Sequence, residues 1–374
     1  MIPKTHLNEK ITCKRCVMDN TAANFEIDDM GICNYCKNYN LNYLSVSKNY
    51  TKSNLDKLIK KIKVNGRDKK YDCIVGLSGG LDSSWTLVQV KKLGLRPLAV
   101  HMDNGWNSET AQNNIFELVR ILNVDLYTHV IDWIEYRKLM EAFFKANVID
   151  IELLMDNAMR AVNWNMAEKF NVKYILSGTN TASEGMSIPP NWNWPNKTDL
   201  KNIKYIGQKF SKIKLKTFPG LSTKRYISLL IRGFRWIPFL DYTSYTRSEA
   251  IELLSSKYNY KSYEHKHYES VFTRFYQGYI LPKKFHVDKR KLHYSALIMS
   301  NQITRKDAAE QLKLSTYSDQ LLLNSDIKYF LKKMKWSNND LKNYLNMPPI
   351  SHSNYENEKL SYILLKLTKK ILNI

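Results

Sequence analysis

Long apolar runs are what this 374-residue chain most plainly lacks. None approaches the roughly 18 apolar residues of a membrane-spanning helix, and the opening MIPKTHLNEK has no apolar core of the kind a secretory signal needs. The expectation is a cytoplasmic protein with no membrane span. Cysteine is scarce, at five. Acidic residues are outnumbered, 35 against 57 Lys and Arg, and the resulting formal charge of +22 calls for a polyanionic partner: nucleic acid, an acidic surface or a phosphate-rich small molecule. The basic residues are spread along the chain and not gathered in one tail, so charge alone does not choose among these. Internal repeats are absent, and the length predicts two or three domains.

Four of the five cysteines have a spacing. Cys13, Cys16, Cys33 and Cys36 read C-x2-C, sixteen residues, C-x2-C, the pattern of a four-thiolate zinc site on two tight knuckles. Four protein ligands leave no open position, so the expected zinc is structural. A segment of this size has too little core to fold alone, and the metal would hold it together. Cys73 lies inside the apolar run YDCIV and is expected to be a buried small hydrophobe.

Beyond this module Leu55, Leu58, Ile59 and Ile62 recur at helical spacing in a lysine-rich stretch. From Tyr71 the pattern alternates between strand and helix: strands at Cys73 to Leu77, Pro97 to Met102, Leu126 to Ile131 and Tyr174 to Leu176, with helical crossovers between them. That predicts a three-layer α/β domain with a parallel sheet, whose functional loops sit at the carboxyl ends of the strands. Three such ends carry polar clusters, SGGLDSS, DNGWNS and SGTNTASEG, which should converge on one rim. The expected domains are 1–45 (zinc module), 46–70 (linker helix), 71–187 (α/β domain), 188–245 (an irregular lid or docking segment) and 246–374 (a helical substrate region). Helices in that last region are expected at about 246–257, 268–280, 288–299, 304–312, 319–334 and 354–372.

The stretch LSGGLDSS (77–84) carries the chemistry. A Walker loop needs a lysine, and none is present. Gly79 and Gly80 let backbone approach a ligand closely, and the helix that follows begins with unpaired N–H donors suited to an anion. Ser78, Ser83 and Ser84 add hydroxyls. Asp82 beside a phosphate makes sense through Mg²⁺.

These residues match the S-G-G-x-D-S signature of the PP-loop ATP pyrophosphatases, and SGGLDSS resembles that family's loop. The resemblance implies an adenine nucleotide alpha-hydrolase-like fold, ATP held by its β and γ phosphates, and transfer of AMP to the second substrate. It places Met102 and Asp103 beside the nucleotide, and Gly178, Thr179 and Glu184 near the phosphates, Glu184 sharing the metal with Asp82.

The chain as a whole resembles the N-acetyl sugar amidotransferases of surface-polysaccharide and nonulosonic-acid biosynthesis, through CKRCVMDNT, GICNYC, YDCIVGLSGGLDSS, HMDNGWN, SGTNTASEG and KHYESVFTRFYQGYILPKKFHVDKRK. That resemblance implies conversion of an acetamido to an acetamidino group on a nucleotide-activated sugar. The ammonia would come from a separate glutaminase subunit resembling the histidine-biosynthesis pair, with or without that pair's second member. Lys266 and Arg274 are candidates to offset phosphate charge during the attack, and Arg290 and Lys291 to hold the sugar nucleotide. No G-x-S-x-G element is present to make ammonia within the chain. Trp192, Trp194 and Trp236 are candidates for partner docking or for the core. The alternative is a tRNA-modifying PP-loop enzyme; no recognisable RNA-binding module supports it, and nucleic acid is not expected as a partner.

Overall fold

The computed structural model describes residues 10–47, 51–243, 245–263, 268–317 and 319–374. Five short strands, β1 (Cys73–Gly76), β2 (Pro97–Asp103), β3 (Leu126–Val130), β4 (Tyr174–Ser177) and β5 (Arg235–Pro238), form one parallel sheet in the order β3-β2-β1-β4-β5. Side chains alternate across it. Cys73, Val75 and Ala99 pack with Leu87, Val88 and Leu254, under the helices Leu81–Lys92, Glu109–Leu122 and Arg247–Tyr258. Ile74, Leu98 and Val100 face the other way, onto Ala161, Leu229 and Leu365 of the helices Leu153–Lys169, Thr223–Ile231 and Lys359–Ile371. The three layers are those the strand pattern predicts.

From β1 the chain steps outward through β2 to β3, returns past β1 to β4, and steps the other way to β5. The loops leaving β1 and β4 therefore diverge, and the crevice between them is the topological switch point where open parallel sheets bind ligands.

A further apolar cluster joins the cysteine module to the helices Trp133–Lys145 and Leu200–Ser211 and to most of the C-terminal region. Polar ties fix it: the Val17 amide donates to Ser295 Oγ (3.3 Å), and Arg305 donates to the carbonyls of Cys13 (2.9 Å) and Cys16 (3.1 Å). Among the described residues no helix is long and apolar enough to cross a membrane.

Several elements differ from expectation. The segment 188–245, read as irregular, contains two helices (Leu200–Ser211 and Thr223–Ile231) and β5. The expected helix 268–280 is a short helix, Val271–Phe275, running into a π-helix, Tyr276–Phe285, with Pro282 inside it. A ring that cannot donate to the ladder favours such a widened turn. The expected helix 354–372 starts only at Lys359, and an unanticipated helix, Asn338–Asn346, precedes it behind a Ser337–Asp340 capping box.

Candidate functional site

The loop after β1 is shaped by three close approaches. Gly79 lies at φ +79°, and a Cβ there would sit 2.5 Å from the Ala111 carbonyl oxygen. A Cβ on Gly80 would sit 2.8 Å from the Glu269 carboxylate, and one on Gly178, after β4, 2.6 Å from the backbone of Asp82. No other residue type fits these positions without displacing its neighbours. The Gly79 carbonyl accepts from Asn114 Nδ2 (3.2 Å) and the Tyr263 hydroxyl (3.1 Å). Ser83 Oγ accepts from the Ser78 amide (3.2 Å) and donates to the Gly80 carbonyl (3.1 Å), closing the loop on itself. The helix Leu81–Lys92 starts at Gly80 with no capping side chain, whereas the adjacent helix Glu109–Leu122 is capped by Ser108. The start of that helix thus borders the cavity without a capping side chain, the kind of helix end that suits an anion.

This loop forms one wall of a cavity of about 390 Å³ at the switch point. The end of β2 contributes Met102, and the end of β4 contributes Gly178, Thr179 and, on the short helix that follows, Glu184. The C-terminal region contributes Gln277, Lys289 and Glu269, the last with its carboxylate 3.4 Å from the Ser78 hydroxyl of the loop. Antiparallel pairing brings it there: the Ser108 amide donates to the Glu269 carbonyl and the Val271 amide to the Trp106 carbonyl, each at 2.9 Å.

Among the described residues the charged side chains that line the cavity are mostly acidic. Asp82, Glu152, Asp156, Glu184 and Glu269 line it against Arg247 and Lys289 among the described residues. Glu152 is paired with Lys289 (2.7 Å) and Asp156 with Lys197 (3.0 Å). The Tyr245 hydroxyl donates to Asp82 Oδ1; burial, and then the Asp82 charge, push its pKa well up, so it stays a donor. His101 ties the end of β2 to the loop, with Nδ1 2.8 Å from the Leu77 carbonyl and Nε2 3.0 Å from Asn107 Nδ2. Burial lowers its pKa and leaves a neutral ring whose Nδ1–H donates to Leu77.

Of the residues expected from the sequence, Ser78, Gly80, Asp82, Ser83, Met102, Gly178, Thr179 and Glu184 line this cavity, and Gly79 supports it from behind. Others stand elsewhere. The Ser84 hydroxyl is buried and does not border the cavity. Asp103 accepts from the Gly105 amide (2.8 Å) and Asn107 Nδ2 (3.1 Å), so its carboxylate shapes a turn. Arg274 makes a two-pronged pair with Asp326 (2.7 Å on each arm) between two C-terminal helices and is absent from the cavity wall. Lys291 reaches Asp19 (2.6 Å) and fastens the cysteine module. Arg290 pairs with Asp288 (2.8 Å) and borders a second, smaller chamber. Lys266 lies outside the described residues. Trp192 is fully buried, Trp194 donates to Asp199 (3.0 Å), and Trp236 borders the cavity, so these three do not form an exposed docking face. Sequence reasoning missed His101, Tyr245, Arg247, Glu269, Gln277 and Lys289. The basic run DKRK did point near Lys289, one residue too late.

The cysteine module fits a metal. Sγ of Cys13 and Cys36 are 3.9 Å apart and those of Cys16 and Cys33 3.7 Å, and all four ligand atoms lie within 4.8 Å of one another. Zinc–sulfur bonds of about 2.3 Å at tetrahedral corners give an edge of about 3.8 Å. Amides of Arg15, Cys16 and Cys33 point at Cys13 Sγ at 3.3–3.5 Å, which favours the thiolate. The fold is thus a three-layer α/β domain built on a parallel sheet, with a four-cysteine module suited to a zinc ribbon at its N-terminus and a helical C-terminal region.

Residues 269–371 match the family model described as LPS biosynthesis protein WbpG-like, C-terminal domain, just over a quarter of the chain. No curated protein is matched. Among solved structures the chain is similar to NMN synthetase from Francisella tularensis, at 18% identity over 59% of this chain and 99% of that one, with a TM-score of 0.27. It is also similar to the NH3-dependent NAD synthetase of Campylobacter jejuni, at 16% identity over 55% and 92%, TM-score 0.28. The glutamine-dependent NAD+ synthetase of Acinetobacter baumannii aligns at 13% identity over 74% of this chain and 43% of that one, TM-score 0.32.

Proposed function

With residues 269–371 forming a WbpG-like C-terminal domain, we propose that the protein is an ATP-dependent amidotransferase that turns the acetamido group of a nucleotide-activated sugar into an acetamidino group. One observation carries this reading. The glycine-lined loop with its uncapped helix start and the first residue of that domain, Glu269, border one cavity, the Ser78 hydroxyl lying 3.4 Å from the Glu269 carboxylate. A wall suited to gripping a nucleotide and a wall from a lipopolysaccharide-biosynthesis domain share one reaction space.

In this reading the amides at the start of helix Leu81–Lys92, with Ser78, Ser83 and Thr179, hold the outer phosphates, and Met102 lies beside the adenine. Asp82 and Glu184 would hold Mg²⁺ together with those phosphates, since magnesium is commonly bound by one or two carboxylates plus substrate oxygens. When bound, the ion neutralises phosphate charge. Tyr245 orients the Asp82 carboxylate for that role.

The acetamide oxygen attacks the α-phosphorus of ATP, the bond to the β-phosphate oxygen breaks, and pyrophosphate departs into the loop. The amide nitrogen loses its proton, giving an O-adenylyl imidate. Ammonia then adds to the imidate carbon and AMP leaves with the oxygen, which yields the amidine. Amides fixed in advance at the phosphates do most to lower the barrier, because they need no reorganisation as charge shifts.

Ammonia is taken from outside the chain, from a glutaminase subunit. Cys73, the one cysteine beyond the four-sulfur cluster, is fully buried in β1, where burial raises its thiol pKa, so it is no glutamine-cleaving nucleophile.

The test is pyrophosphate release from ATP, Mg²⁺ and ammonium with UDP- or CMP-linked acetamido sugars in one arm and bulk tRNA in the other. Release is expected with a sugar nucleotide alone, reduced about 10²-fold in kcat by Asp82→Asn. Release with tRNA alone overturns the proposal.

A further inference from the structure

A second chamber of about 160 Å³ adjoins the main cavity, and Asp82, Arg247, Gln277 and Lys289 border both. Most of its remaining wall comes from the WbpG-like domain. Its chemistry differs from that of the glycine loop. Tyr245, Tyr268 and Tyr294 line it with aromatic side chains, and His293, Gln302 and Thr316 carry both donor and acceptor atoms, of which Gln302 Nε2 donates to Ser300 Oγ (3.2 Å) and the Thr316 hydroxyl to the Gly278 carbonyl. Fixed charge is largely cancelled in place, Lys289 against Glu152 at 2.7 Å and Arg290 against Asp288 at 2.8 Å.

The chamber is built rigidly. The Arg290 guanidinium also donates to the carbonyls of Leu314 and Ser315, each at 3.1 Å, and Thr316 Oγ1 donates to the Gly278 carbonyl. The helix Arg290–Met299 shows His293, Tyr294 and Leu297 to the chamber, while Ser295 and Ala296 turn into the protein, Ser295 toward the cysteine module.

A bare phosphate would select uncancelled cations or free amides, as at the loop, and a purine would select an apolar slot. Aromatic side chains combined with groups of mixed donor and acceptor character match a neutral ring with one C–H face and a rim of hydroxyls, each hydroxyl again both donor and acceptor. Resting on the amidotransferase reading above, we propose that this chamber seats the hexosamine ring of the acceptor. Its acetamido group then points toward Asp82, its diphosphate passes Arg247 at the shared mouth, and His293, Tyr294 and Gln302 select the sugar.

The probes are UDP-N-acetylglucosamine and UDP-N-acetylgalactosamine, with a CMP-linked acetamido sugar as a third. Saturation-transfer NMR on the full chain without ATP reads which ligand protons touch the protein. Binding of ATP with Mg²⁺, measured by calorimetry, serves as the fold control. Transfer is expected to the ring and N-acetyl protons of at least one of the two UDP-linked probes, and transfer to the CMP-linked sugar alone would overturn the assignment. His293→Ala and, as a second and more peripheral variant, Gln302→Ala are expected to weaken that probe about tenfold, with the ATP Kd held within about twofold. Transfer confined to the base and ribose, unchanged sugar affinity in both variants, or equal loss of ATP affinity would each overturn the assignment. Acceptor-dependent pyrophosphate release by the unmodified chain separates the two failures. If it persists while the variants bind sugar normally, only the chamber assignment falls; if it occurs with tRNA alone, the amidotransferase reading falls first.

Discussion

Replacing Gly79 by alanine tests the loop through two separable costs. At φ +79° an L-residue costs about 1–2 kcal/mol, and the new Cβ would begin 2.5 Å from the Ala111 carbonyl oxygen and 2.9 Å from its Cα. Both contacts are backbone of a packed helix, which cannot swing aside as a side-chain tip would. Relief to an ordinary contact of 3.4 Å requires a shift of about 0.9 Å. Asn114 and Tyr263 grip the Gly79 carbonyl, so the shift passes into the helix start that presents the amides. A misplacement of about 1 Å in a positioned reaction costs about 10²-fold. Gly233 supplies the control, since it lies at φ +83° with nothing within 4 Å of its Cβ position. Gly233→Ala shares the backbone penalty without the overlap. Thermal midpoints should fall by about 2–4 °C in Gly233→Ala and by more in Gly79→Ala. Only Gly79→Ala should lose ATP affinity, by about tenfold or more, and acceptor-dependent pyrophosphate release, by about 10²-fold. An ATP Kd for Gly79→Ala within twofold of the unmodified protein would refute the cradle.

Two further outcomes follow from buried groups. Stripping the metal, or Cys33→Ser, should expose the amides of residues 10–47 to hydrogen exchange and weaken the acceptor sugar before it weakens ATP, because the Val17 amide holds Ser295 on the helix whose His293 and Tyr294 line the chamber, and Arg305 holds the Cys13 and Cys16 carbonyls; unchanged exchange after mass spectrometry confirms metal loss would remove the structural role. His352 is held neutral by burial with a pKa of about 4, accepting from the Asp150 amide (3.2 Å) and placing Nδ1 2.8 Å from Asn202 Oδ1. Its contribution is therefore fully present above about pH 6.5 and lost as pH falls toward 4, about 3 kcal/mol in all. Asp199, raised by burial to about 6, acts oppositely over nearly the same range, its penalty growing as pH rises from about 4 to 6, so the unmodified curve partly hides both. Subtracting the melting curve of His352→Gln from that of the unmodified protein should reveal the histidine slope between pH 6.5 and 4, and parallel curves would disprove it.

What could be read from the sequence was what is local in the chain. β1, β2 and β4 hold short apolar runs, β3 (LYTHV) is rich in β-branched and aromatic residues, and the loop between β1 and its helix carries strand end, glycines, carboxylate and hydroxyls within eight residues, so these were legible. β5 was not: Arg235–Pro238 is a four-residue edge strand, half-buried throughout and ending in proline. The helix Leu200–Ser211 was lost among lysines and an internal glycine, although Ile203 and Ile206 sit at helical spacing and are buried. Arg274 and Lys291 were misplaced for a different reason. Each looks like an anion-binding cation until its partner is known, and Asp326 and Asp19 lie 52 and 272 residues away. Distance in sequence also hid Tyr245 and Glu269, which reach the loop only because of the tertiary fold.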